Sequence, residues 1–128
     1  MSLPRIYAIV FGVVYTLVGL VGFAVSSTLE VYTLIIFPVN VLHNIVHLLV
    51  GIIGIAAFLT GRSVLYARGM AVLFAILFVA GFLPADSAGR FLGLVPLGGT
   101  DIVLHALTAI LGGVAGFAFA NRGERATA

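Results

Sequence analysis

Polar residues are so sparse along this chain that the breaks between apolar runs define its architecture. Ile6 to Val25 is a first run of twenty residues without a charge. A helix rising about 1.5 Å per residue needs roughly that length to cross 30 Å of hydrocarbon. Ser26 to Glu30 interrupts the run. Val31 to Phe37 is apolar again but framed by Glu30 and Pro38, and reads as an interfacial or extended approach, or a helical extension, leading into a second span at about 39–59. Asn40 can cap that span, or Pro38 can mark an earlier start. Thr60 to Ser63 forms a polar turn before a third span at about 64–83, in which Arg68 reads as snorkelling to headgroups. Pro84 to Arg90 breaks the pattern, Phe91 to Leu97 is mildly apolar, and Gly98-Gly99 precedes a fourth span at about 101–120 with Thr100 or Asp101 as N-cap. Asn121 to Ala128 is a short polar tail. The pattern predicts an all-α, polytopic transmembrane four-helix bundle in one domain, residues 1–128.

Ala24-Val25-Ser26 loosely resembles a signal-peptide cleavage site, but the first run exceeds a usual h-region and recurs later in the chain. Ile6-Tyr7-Ala8 answers Leu65-Tyr66-Ala67, and at the same offset Gly22-Phe23 answers Gly81-Phe82. Val41-Leu42-His43 likewise answers Val103-Leu104-His105, with Gly51 and Gly54 answering Gly113 and Gly116. Two parallel two-helix repeats follow, related by an axis along the membrane normal.

Composition sharpens the choice of solvent. The chain is 62% hydrophobic and 8% charged, with mean hydropathy +1.31, against about 25% charged residues in a soluble domain. Membrane lipids are its expected surroundings. Six arginines and no lysine make no basic run, which excludes a nucleic-acid backbone binder. The absence of cysteine removes disulfides and thiolate chemistry. Arg5, Arg62, Arg68, Arg122 and Arg125 fall on one side of a four-span topology and Arg90 on the other, so the positive-inside rule predicts cytoplasmic N- and C-termini. The second and fourth spans then both start at the extracytoplasmic face, bringing His43, His47 and His105 to one end.

Those histidines carry the candidate chemistry. His43 and His47 stand at i, i+4 at the head of the second span, with Gly51 and Gly54 further along the same face. Three readings stay open. Asn40, Asn44, Glu30, Asp101 and the histidines can form an interhelical polar network in a structural or accessory role. His43, His47 and His105 can ligate a transition metal such as zinc, with Asp101 or Glu30 completing the shell or orienting a ring. His43 and His105 can be the axial ligands of haem b in an electron-transfer protein, above Gly51 and Gly113. Asn44 follows His43 where a zinc protease has its glutamate, and no nucleophile elbow or phosphate loop exists, so no enzyme is expected. Gly51, Gly54, Gly112, Gly113 and Gly116 are expected at helix crossings. Tyr15 lies deep and requires a hydroxyl partner.

The Asn-x-x-His-x-x-x-His of Asn40, His43 and His47, with the Asp-x-x-x-His of Asp101 and His105, resembles a group of small four-span bacterial membrane proteins catalogued as a domain of unknown function. The resemblance covers about Tyr7 to Phe119. It implies a bacterial inner-membrane protein and no known activity; a homo-oligomer or a larger membrane complex stays open beside it.

Overall fold

The computed structural model describes residues 1–120; the polar tail beyond, with Arg122 and Arg125, lies outside the described residues. Four helices form: α1 (Leu3–Val25), α2 (Val41–Leu59), α3 (Ser63–Ala80) and α4 (Asp101–Gly113), the last continuing as a π-helical turn, Val114–Ala118. Pro4 opens α1 in the first turn, where its missing N–H is not needed. All four helices are long and apolar enough to cross a membrane. Their outer faces carry exposed Leu17, Leu20, Ile52, Ile53, Val72, Ile76 and Ile110, a surface that water would penalise and lipid does not. The chain is a multi-pass membrane protein built as a four-helix bundle.

The two apolar connections are β-hairpins. Tyr32–Leu34 (β1) pairs antiparallel with Phe37–Val39 (β2), and Arg90–Phe91 (β3) with Val95–Pro96 (β4). Each turns through a non-glycine residue at positive φ, Ile35 at 59° and Leu92 at 55°. Tight hairpins require such backbone, and its recurrence in both connections gives each half the plan helix–hairpin–helix. Of the interfacial, extended and helical readings open for Val31 to Phe37, the extended one holds, as one arm of a hairpin, and the mildly apolar Phe91 to Leu97 belongs to a second hairpin.

The halves are strapped together at the hairpin end. Asn40 accepts the His43 N–H at 3.1 Å, capping α2, while its amide donates to the Leu94 carbonyl of the opposite hairpin at 2.6 Å and to Leu29 at 3.2 Å. Pro38 therefore belongs to β2 and not to the helix start. Thr100 makes no cap bond; its hydroxyl donates to the Ile36 carbonyl at 2.6 Å, the reciprocal strap. At the other end Arg68 Nε donates to the Gly116 carbonyl at 2.8 Å, and Arg5 reaches the Phe58 carbonyl at 3.4 Å. These guanidiniums meet orphan carbonyls at helix ends, which is a more specific use for Arg68 than snorkelling alone.

Glycine sets how closely the helices approach. A Cβ on Gly12 would lie 2.8 Å from the Ile55 nitrogen, one on Gly51 would overlap Thr16, and one on Gly54 would reach the Tyr66 ring at 2.7 Å. On the other half Gly112 faces the Ala67 carbonyl and Gly116 faces Arg68. Gly113 differs from its sequence expectation: a Cβ there meets nothing within 4 Å. The residue at the crossing is its neighbour Gly112, about 100° around the helix at 3.6 residues per turn.

Candidate functional site

Asn40 fixes where α2 begins, and that start sets the phase at which its first two turns present His43 and His47 to the interior. Asp101, the first residue of α4, and His105, one turn on, face them from the other half. Exposure is 2% for His43, 3% for His47, 0% for Asp101 and 1% for His105. His43 Nε2 lies 3.0 Å from His47 Nε2 and 3.3 Å from Asp101 Oδ2, and His105 Nε2 lies 4.0 Å from the same oxygen. Among the described residues, His43, Asp101 and His105 present ligand-type atoms all within 4.8 Å of one another.

The remaining helices close the site. The Tyr15 ring of α1 lies tilted 5.0 Å from the His47 ring and 5.4 Å from Phe74 of α3, and Phe74 lies edge-on to His105 at 5.5 Å. The deep Tyr15 hydroxyl finds its partner in Thr108 Oγ1 at 2.6 Å. Thr108 went unnoticed in the sequence, although it is a polar residue one turn beyond His105 in an apolar span. Val95 and Leu97, at and just after β4, cover the histidines and leave a cavity of about 50 Å³ lined also by Val46, Phe74 and Leu77.

Three residues assigned to the same polar network do other work. Asn44 donates to the Ser26 carbonyl at 2.8 Å, closing the end of α1. Asn40 serves the cap and strap described above. Glu30 stands exposed, accepting the Tyr32 hydroxyl at 2.9 Å. Glu30 is excluded from the histidine cluster because it lies before β1, outside the bundle.

Hydrogen-bond needs within the cluster are not met by protein alone. Neither Asp101 oxygen has a hydrogen-bond partner, and the Nδ1 atoms of His43, His47 and His105 have none either. His43 Nε2 faces both a ring nitrogen and a carboxylate, yet it can carry one proton at most. A buried carboxylate left so is costly unless a cation or proton compensates it. The cluster sits at the N-termini of α2 and α4, whose dipoles oppose a cation by roughly 0.3–1 kcal/mol each. Coordination free energies of about 10–16 kcal/mol for structural zinc exceed that by an order of magnitude.

Haem does not fit the pair His43 and His105. Their ring centroids are 6.5 Å apart, but Asp101 Oδ2 lies against both Nε2 atoms in the space a macrocycle needs. The cavity of about 50 Å³ is far below the roughly 300 Å³ at which cofactor pockets begin. Gly51 is filled by Thr16, and Gly113 faces away from the crossing. The surroundings of His43 and His105 therefore do not fit a haem between them.

A bundle of four apolar spans with a buried His–Asp cluster joining its second and fourth helices defines the class: a small polytopic membrane protein with an interhelical ionisable network. Within that class the chain belongs to the family described as Domain of unknown function (DUF4383), whose model matches residues 5–118. No curated protein and no solved structure matches it.

Proposed function

We propose that this is a non-enzymatic protein of the bacterial inner membrane, acting as a structural or accessory component of that membrane. In this reading its His–Asp cluster locks two helix–hairpin–helix halves together. The observation that carries the reading is the 3.3 Å approach of His43 on α2 to Asp101 on α4, both fully enclosed and on opposite halves. A double-mutant cycle with His43→Ala and Asp101→Ala, followed by thermal unfolding in detergent, tests it. Coupling of about 1–3 kcal/mol is expected for such a contact, above the average of about 0.6 kcal/mol for polar pairs in membranes. Additive losses would remove the lock.

The hairpin end is the extracytoplasmic end in this proposal, and both termini are cytoplasmic. Arg5, Arg62 and Arg68 support that orientation from the opposite end. Arg90, at the hairpin end, is held by Asp86 at 2.9 Å, so it adds little net charge there. Ser63 is fully buried and unsuited to labelling, whereas Thr60 and Ser87 are exposed at opposite ends. An impermeant thiol reagent on intact cells is expected to label Ser87→Cys and spare Thr60→Cys. The reverse pattern would invert the topology. Lipid is the partner the outer surface fits; a homo-oligomer or larger complex would seat on the same apolar faces.

A further inference from the structure

We propose that the cluster is a closed site for a divalent transition metal of the zinc class, held by His43, His105 and Asp101 with His47 as fourth donor. The inference rests on the interhelical lock above and identifies what completes it. Four donors on a tetrahedral ion with 2.0–2.1 Å bonds stand roughly 3.3 Å from one another. The observed separations are 3.0 Å between the Nε2 atoms of His43 and His47, 3.3 Å from His43 Nε2 to Asp101 Oδ2, and 4.0 Å from His105 Nε2 to that oxygen. His43, Asp101 and His105 already present donor atoms within 4.8 Å of one another, and His47 adjoins them through His43.

The unpartnered carboxylate is the independent observation. Asp101 is entirely enclosed, and neither of its oxygens receives a hydrogen bond, although two imidazoles stand beside it. A hydrogen-bonded network would aim an N–H at one of those oxygens. Instead, the hydrogen bond at 3.0 Å runs between His43 and His47, and two ring nitrogens stand 3.3 and 4.0 Å from Asp101 Oδ2 without bonding it, an approach that a cation accounts for. Backbone carbonyls of Pro38 and Pro96 lie beside His43, and that of Leu77 beside His105. As they stand they make no hydrogen bond to the Nδ1 atoms; a small ring rotation would let them accept that N–H and turn the other nitrogen's lone pair inward, as carbonyls do behind metal-bound histidines.

Three imidazoles and one carboxylate suit zinc or another borderline ion better than calcium or magnesium, which take all-oxygen shells. Four protein donors leave no open position, so the metal crosslinks α2 to α4 and activates no water. The adjoining cavity of about 50 Å³, lined by the three histidines beside Val95 and Leu97, has room for an ion or a water and nothing larger.

The test is metal uptake by the whole protein in detergent, purified without added metal or chelator. Co²⁺ serves as the spectroscopic probe and Zn²⁺ as its competitor. Wild type is expected to bind one equivalent of Co²⁺ with the intense visible bands of tetrahedral cobalt, to lose them to Zn²⁺, and to melt higher with either ion. His105→Ala and Asp101→Asn should weaken binding by more than the roughly 10–100-fold that loss of a supporting residue costs. Glu30→Gln, outside the cluster, should bind as wild type does. Absence of cobalt bands and of any melting shift in wild type overturns the metal site, as does uptake unchanged in both cluster variants. The His43–Asp101 coupling, measured with chelator present, separates this outcome from failure of the lock.

Discussion

Gly112→Leu is expected to destabilise the bundle severely, while Gly113→Leu, one residue further on, leaves it nearly unchanged. At Gly112 even a methyl carbon would lie 2.9 Å from the Ala67 carbonyl and 2.9 Å from the Tyr7 hydroxyl, and the backbone of α3 cannot move aside without parting α3 from α4. Tyr7 has a second stake in the crossing, since its hydroxyl donates to the Thr108 carbonyl at 2.9 Å. Overpacking of this kind costs typically 1–3 kcal/mol and more where backbone is the obstacle. At Gly113 the added side chain meets open space and faces the lipid, where leucine is welcome, so a change within about 0.5 kcal/mol is expected. Gly51→Leu should behave like Gly112→Leu, because Thr16 fills the place of its side chain. Thermal unfolding of the three variants in one detergent checks the set. Equal losses at Gly112 and Gly113 would show that α4 is rotated from the orientation described.

This pair of glycines also shows where sequence reading stops. A constant offset equates Gly51 with Gly113, and both are glycines in matching strings, yet only one lies at a crossing. Which side of a helix meets its neighbour depends on rotation about the helix axis, and repeat alignment carries no such information. The spans themselves were legible, because hydrocarbon thickness imposes a length that apolar runs either meet or miss. The gathering of His43, His47 and His105 was legible for a related reason: four spans fix which helix starts share an end. Asp101 could be assigned with them because it heads the fourth span one turn before His105.

The hairpins were not legible in the same way. Residues 31–39 and 90–97 are too short for a periodic signal, and they turn at Ile35 and Leu92 rather than at an Asn-Gly or Asp-Gly pair. Glu30 looked equivalent to Asp101 by depth alone; it lies in the exposed segment between α1 and β1, which leaves its carboxylate outside. The straps from Asn40 to Leu94 and from Thr100 to Ile36 depend on the two hairpins lying side by side, which no local pattern encodes.

The cluster should respond to substitution in a way that separates pairing from packing. His43→Leu alone is expected to lower stability by about 1–3 kcal/mol, because it removes the nearest polar neighbour of a fully enclosed acidic side chain. Replacing the members together, His43→Leu with Asp101→Val and His105→Leu, removes every ionisable group at the contact and puts apolar side chains against Phe74, Val95 and Leu97. Buried ion pairs so replaced are often neutral or more stable by about 1–4 kcal/mol. The triple variant is therefore expected to melt well above His43→Leu and near the wild type, with chelator present throughout so that no metal adds to the balance. Chemical unfolding in mixed micelles reads the comparison. If His43→Leu alone were silent, Asp101 would not depend on His43, and the link between the halves would have to come from the hairpin straps. If the triple variant were as unstable as the single, the polar contacts themselves would be what sets the packing of α2 against α4. Recovery in the triple variant would show that apolar packing can also join these helices once no buried polar group is left without a partner.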